Sequence, residues 1–182
     1  MYDLILKADN AAVDFMLGIQ NGFLTPLLKI VTYATEKGIL WIAIGLFLLL
    51  YKPTRRFGIV YAVSLFCAFM LSEYVLKFIV CRERPFIMRD DIKLLISAPS
   101  GYSFPSSHTC SSFACAVSIF LKKKKIGIAA LAFAFVVGFS RVYFMVHWLT
   151  DVLVGAVIGT LCAVLVYAVF EYIRKRRNAQ IC

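Results

Sequence analysis

Apolar positions in this chain come in long blocks separated by short polar runs, and the blocks have the length of helices. Four stretches carry no charged residue: Gly38 to Tyr51, Phe57 to Ser72, Ile126 to Ser140 and Val152 to Phe170. At about 1.5 Å of rise per residue, each fills most or all of an apolar layer about 30 Å thick. With their flanks they predict helices at 37–51, 57–80, 105–121, 126–144 and 148–172. Upstream the pattern changes. Residues 1–22 interleave Asp3, Lys7, Asp9 and Asp14 with Leu4, Ile5, Leu6, Val13, Phe15, Met16, Leu17 and Ile19, as an amphipathic helix at a membrane interface does. Leu24 to Thr35 is largely apolar but holds Lys29, so the first crossing reads two ways. It is either a tilted helix from Ala11 to Thr35 or a shallow helix that enters without spanning. The expected fold is all-α: a polytopic membrane bundle of six transmembrane helices with an interfacial N-terminal segment. One domain covers residues 1–182, with an outer loop at 81–104.

Composition supports the same class. The chain of 182 residues is 62% hydrophobic with a net charge of +10, a combination ill suited to a soluble domain. Asp3, Lys7, Asp9 and Asp14 interrupt the region where a cleavable signal peptide needs an unbroken apolar run, so none is expected. Cys67, Cys81, Cys110, Cys115, Cys162 and Cys182 lie mostly within apolar segments and show no Cys-x-x-Cys spacing, which makes them small apolar filler and not metal ligands. The positive charge does not point to nucleic acid, because it is gathered in short clusters beside apolar spans, where it contacts anionic headgroups and sets topology.

Those clusters give an orientation. Lys52, Arg55 and Arg56 mark one loop, Lys122 to Lys125 a second, and Arg174 to Arg177 the C-terminal tail. All three fall on one side if the five strong segments each cross once, and an excess of Lys and Arg marks that side as cytoplasmic. The loop from Cys81 to Phe104 and the turn around Val146 then face outside. The expected location is a multi-pass protein of the plasma membrane with its basic loops and C-terminus inside.

Three polar clusters converge on the outer face under this topology: Lys77-x6-Arg84-Pro85, Pro105-Ser106-Ser107-His108-Thr109, and Ser140-Arg141-x5-His147-x3-Asp151. Pro105 suits the first position of a helix, and the free N–H groups of that turn, with the Ser106 and Ser107 hydroxyls, form an anion site. His147 and Asp151 are i and i+4, on one helix face. A carboxylate on one ring nitrogen fixes the tautomer and leaves the other nitrogen free to attack phosphorus. Lys77, Arg84 and Arg141 together neutralise a phosphate and the charge that builds on its oxygens. Glu73, four residues before Lys77, reads as its ion-pair partner and not as a site residue. Arg82, Arg89 and Lys93 read as solvated or headgroup-facing.

In order and spacing, these three blocks closely resemble the signature of the type 2 phosphatidate phosphatase superfamily of membrane lipid phosphatases. The resemblance covers Lys77 to Asp151, with Ser107 and Met145 where Gly is common and Leu149 where Pro is common. It implies that Lys77, Arg84 and Arg141 bind phosphate, assisted by Ser106 and the Ser107 backbone. His147 would be the nucleophile, Asp151 its orienter, and His108 the acid for the leaving oxygen and the base for water. No metal and no cofactor are expected. The implied partners are the bilayer and a lipid phosphate, and the short chain is most similar to bacterial undecaprenyl-diphosphate phosphatases. Phosphatidylglycerophosphate or phosphatidate is the alternative substrate. Two other readings stay open: a lipid phosphotransferase, or a non-catalytic lipid-phosphate binder or transporter.

Overall fold

The computed structural model describes residues 2–180, and the described residues form nine α-helices and no strand. They are α1 (Tyr2–Ile19), α2 (Leu24–Ala34), α3 (Ile39–Leu50), α4 (Arg55–Met70), α5 (Lys77–Val80), α6 (Pro85–Met88), α7 (Ser107–Lys122), α8 (Lys124–Tyr143) and α9 (Leu149–Ala179). A π-helical segment, Leu71–Leu76, joins α4 to α5 without a break.

The N-terminal region does not run as one tilted helix from Ala11 to Thr35. It breaks at Gln20–Phe23, where the Asn21 side-chain oxygen accepts from the backbone N–H groups of Phe23 (2.9 Å) and Leu24 (2.8 Å). Such a local side-chain bond offers the backbone an alternative to helix and starts a new one. The break lets α1 fold back so that Val13 and Met16 pack against Val142–Trp148, the turn between α8 and α9. A second interruption at Glu36–Gly38, where Lys37 and Gly38 take left-handed φ values of 51° and 73°, bends α2 against the helix that follows by 43°.

By length and composition, three helical runs can cross an apolar layer: Lys52–Met88, Lys124–Tyr143 and Leu149–Ala179; the bent pair Leu24–Ala34 with Glu36–Leu50 makes a fourth. Phe47, Phe66, Phe135 and Leu165 are each more than 60% exposed on the outside of the bundle, while Thr32, Ser64, Ser112, Ser118 and Ser140 are buried inside it. This inside-out distribution belongs to an integral membrane protein. Interior hydroxyls then bond helix to helix: Trp41 Nε1 donates to Ser112 Oγ at 2.8 Å, and Thr32 and Ser140 share a bond of 2.9 Å.

At the centre lies α7, and α9 approaches it closely because Gly155 and Gly159 face it. A Cβ at Gly159 would lie 2.1 Å from the Cys110 carbonyl oxygen, and one at Gly155 would lie 2.8 Å from that of Ser106. The same approach lets Ser106 N–H donate to the Asp151 carbonyl at 3.1 Å, tying the first turns of α7 and α9 together. Pro105 was expected at the first helical position, but it stands before the cap. Ser106 is the N-cap, its Oγ accepting from Thr109 N–H at 3.4 Å, because a serine there satisfies a free N–H and a proline cannot.

Candidate active site

The end of α5, the starts of α7 and α9, and the turn after α8 meet at one end of the bundle. Arg141, in the last turn of α8, accepts through its carbonyl from Val146 N–H (3.2 Å) and His147 N–H (3.3 Å), which folds the turn back on the helix. Met145 takes a φ of 57° within that turn. A left-handed residue other than glycine costs about 1–2 kcal/mol. The Met145 side chain, 1% exposed in the core under α1, offsets this by burial, which explains how the turn closes without glycine. Leu149 occupies the first position of α9, where a proline would fit equally well.

His147 sits in this turn, 2% exposed. Its Nδ1 lies 2.7 Å from the Ser103 carbonyl oxygen, and since a carbonyl only accepts, Nδ1 carries the hydrogen. Nε2 is left with its lone pair, 3.4 Å from Arg84 Nη1. Burial, reinforced by the charges of Arg84, Arg141 and Lys77, holds this imidazole well below its ordinary pKa and therefore neutral.

The partner expected to orient His147 is one step removed. Asp151 Oδ2 lies 3.6 Å from His147 Nδ1, beyond hydrogen-bond range, and accepts instead from Trp148 N–H at 2.9 Å, while Oδ1 accepts from Arg82 at 2.7 Å. The aligning group is the Ser103 backbone, and Asp151 supplies charge behind it. Arg82 is not the solvated cation the sequence suggested. It bonds Asp151, Thr150 Oγ1 (2.7 Å) and Asp9 from α1, with its guanidinium 5.1 Å from the centre of the Trp148 ring. Asp9 also accepts from Thr150 N–H (2.9 Å) and its hydroxyl (2.7 Å), and it is fully buried. A signal for Asp9 was present, since it stands i−4 and i−7 from Val13 and Met16, on the apolar stripe of α1. Arg89, also read as solvated, is paired with Asp14 (2.7 Å) and Asp91 (2.6 Å).

Arg84 caps α6 in an extended conformation and is 2% exposed. It donates to the carbonyls of Gly101 (2.9 Å), Ser100 (3.1 Å), Tyr102 (3.1 Å) and Val146 (2.7 Å), so it fastens the outer loop to the His147 turn. Lys77 follows the π segment, its Nζ 2.7 Å from Glu73 Oε2. Ser107 Oγ donates to the same Glu73 oxygen at 2.6 Å. Ser106 Oγ is held as the helix cap and also accepts from the Thr109 hydroxyl at 2.9 Å. Two buried site atoms have no protein partner, His108 Nε2 and Arg141 Nε. Buried polar groups are nearly always satisfied, and the Ser118 hydroxyl is a third exception among the described residues.

Arg84, Arg141 and Lys77 stand close enough for their charges to act on the His147 ring. Among the described residues, no cluster of three or more His, Cys, Asp or Glu side chains is placed to hold a metal ion. Cys67, Cys81, Cys110, Cys115 and Cys162 are free thiols, and Cys182 lies outside the described residues.

Known proteins resemble this chain in sequence and in fold. A family model described as the PAP2 superfamily matches residues 55–175. The chain is 35% identical to an undecaprenyl-diphosphatase of Sulfolobus acidocaldarius over 79% of this chain and 77% of the relative. It is 33% identical to the bacitracin transport permease protein BcrC of Bacillus licheniformis, over 83% of this chain and 74% of that one. Among solved structures, a transmembrane PAP2-type phosphatidylglycerolphosphate phosphatase from Bacillus subtilis superposes with a TM-score of 0.74 at 29% identity, covering 93% of this chain and 88% of the other.

Proposed function

The chain belongs to the PAP2 superfamily and is a membrane phosphatase, and from that premise we propose that it dephosphorylates undecaprenyl diphosphate at the outer membrane face through a phosphohistidine on His147. The observation that carries the mechanism is the His147 ring, with Nδ1 donating to the Ser103 carbonyl and the unprotonated Nε2 accepting from Arg84 Nη1 at 3.4 Å. The Nε2 lone pair forms a bond to the terminal phosphorus as the bridging P–O bond breaks. Lys77, Arg84 and Arg141 hold the phosphoryl oxygens, with the Ser107 backbone and Ser106 at the start of α7. His108 gives its proton to the leaving oxygen. In the second half, His108 takes a proton from water, the oxygen attacks phosphorus, the P–N bond breaks, and phosphate leaves. Asp151, behind the ring, stabilises the positive charge that the imidazole acquires.

The three cations fill the electrostatic role that a divalent metal plays elsewhere, so turnover is expected to persist in chelator. Six helices line the apolar layer in this reading: α2 and α3 as halves of one bent crossing, then α4 with its π continuation, α7, α8 and α9. The basic clusters at Lys52–Arg56, Lys122–Lys125 and Arg174–Arg177 support a reading in which the opposite end, with the site, faces outside. A lipid keeps its tail in the bilayer there and presents its phosphate at headgroup level. Undecaprenyl diphosphate is favoured by the named activity of the Sulfolobus relative and the similar length of the two chains. The likeness to the Bacillus subtilis structure favours phosphatidylglycerophosphate as a second reading.

Product analysis of purified protein on both lipids, and on phosphatidate, separates the substrates. In the same assay His147→Ala abolishes turnover, and His108→Ala, given a good leaving group, accumulates acid-labile, base-stable phosphate on the protein. Wild-type turnover by His147→Ala refutes the covalent mechanism. Impermeant labelling of intact cells should modify position 91 and spare position 123; the reverse pattern refutes the orientation.

A further inference from the structure

Glu73 stands in the phosphate pocket. One carboxylate oxygen, Oε2, takes Lys77 Nζ at 2.7 Å and Ser107 Oγ at 2.6 Å, a cation and a hydroxyl at the mouth of the anion site. An ordinary i, i+4 ion pair on the outside of a helix would leave Ser107, which belongs to another helix, untouched. Glu73, in the π-helical segment Leu71–Leu76, reaches both. Single π turns inside α-helices recur at functional sites.

Building on the phosphatase reading, we propose that Glu73 is a resident anion of the resting site, a carboxylate that substrate phosphate displaces from Lys77 and Ser107 and that returns to them when phosphate leaves. Its carboxylate oxygen fills the place of one phosphoryl oxygen and satisfies the same donors. With its side chain one-third exposed, it has an open path by which to swing away. Two consequences follow. The resting pocket never presents Lys77 and Ser107 unpartnered, and every anion that binds must compete with a tethered one, so affinity for free phosphate is held down and product escapes. Glu73 is thus a positioning and specificity residue. It favours ligands whose charge exceeds its own single negative charge, as a diphosphate's does.

Binding of inorganic phosphate and of vanadate to the detergent-solubilised full chain tests this. Glu73→Gln keeps the size and removes the charge, and a charge-assisted bond is worth roughly ten- to a hundredfold in affinity. Both anions should therefore bind Glu73→Gln about tenfold or more tighter than wild type, with inhibition by phosphate product strengthened to match. Glu73→Ser, which removes reach as well as charge, should tighten binding too. A carboxylate that merely holds Lys77 in place predicts the opposite sign. Unchanged or weaker binding in either folded variant overturns the proposal. Wild-type protein gives a second readout free of any folding question. With ¹³C-labelled glutamate, the carboxylate infrared band assigned to Glu73 should shift when vanadate binds, and a band that stays put overturns the displacement. Arg141→Ala separates the two readings: if it leaves vanadate affinity intact, the pocket itself is misplaced. If it weakens vanadate while Glu73→Gln does not tighten it, only the resident-anion role fails.

Discussion

Asp151→Asn changes one oxygen to an amide at a position where both oxygens are in use. Oδ2 accepts from Trp148 N–H and Oδ1 from Arg82, and an Asn can accept at only one of these. The other contact becomes donor against donor in a fully buried site, which costs about 1–3 kcal/mol of stability. The catalytic cost is separate. A full charge 3.6 Å from the ring that becomes cationic in the phosphohistidine is worth about 4–5 kcal/mol at an effective dielectric of about 20. Arg82 already draws on that charge, so about half remains, and the rate of phosphoenzyme formation should fall about 10²-fold. The tautomer, in contrast, should survive, because it is the Ser103 carbonyl that holds Nδ1–H at 2.7 Å. Single-turnover trapping of phosphoenzyme measures the rate, and ¹⁵N NMR of labelled histidine reports the protonated nitrogen. A wild-type rate of phosphorylation, or a ring whose proton moves to Nε2 in the variant, would refute this division of labour between Ser103 and Asp151.

The three cations should not be equivalent. Arg141→Ala and Lys77→Ala each remove one preorganised donor and should lower kcat about 10²- to 10³-fold in protein that still elutes as wild type from a sizing column. Arg84→Ala should add a stability loss, seen as a lower unfolding temperature in detergent, because four backbone carbonyls lose their donor; near-normal turnover in all three variants would place the pocket elsewhere. Acid should act late on the free enzyme. Burial and the surrounding cations both disfavour the charged His147 ring, so its protonation falls at a pH well below the ordinary value of about 6.5. Unfolded chains take up that proton at about pH 6.5 and the folded one does not, so this contribution to stability is full above pH 6.5 and is lost as pH falls toward the folded pKa. A kcat/KM profile with its acid limb at pH 6.5, for a substrate whose own ionisation is known, would contradict a neutral buried nucleophile.

Much of the fold was legible because membrane helices are written in length and charge. The uncharged run Ile126–Ser140 lies within α8, and the cluster around His108 opens α7 within two residues of its expected start. Where α9 outruns its apolar block, through Glu171 to Ala179, an ion pair of Arg174 with Glu171 at 2.6 Å extends it into the polar zone. The pocket's residue types were legible too, since Lys77, Arg84, His108, Arg141, His147 and Asp151 each stand at a helix end that the apolar blocks define. The pairings among them were not. Ser103 acts through its backbone, which no residue type announces. Arg82 could be told from a headgroup-facing arginine only by knowing that the buried stripe of α1 carries Asp9 to it. The bond from Ser107 to Glu73 joins α7 to the π-helical segment, which hydropathy does not register.

The contact between Asp9 and Thr150 also sets an order of events during synthesis. Asp9 and Thr150 are 141 positions apart, so their contact forms only after the intervening segments have been made. Of the polar partners of Asp9 only Arg82 is made earlier, and the two bonds from Thr150 are missing until then, so the seat of the first helix is incomplete. Arg82 waits as well, tethered at mid-chain, until Asp151 arrives at the start of the last helix. When that helix inserts, one event buries both carboxylates around Arg82 and packs α1 over the His147 turn. Synthesis of the first turn of α9 and the joining of α1 to the His147 turn are therefore the same step, and a protein truncated before α9 keeps His147 but lacks Asp151 and the Thr150 bonds that seat α1.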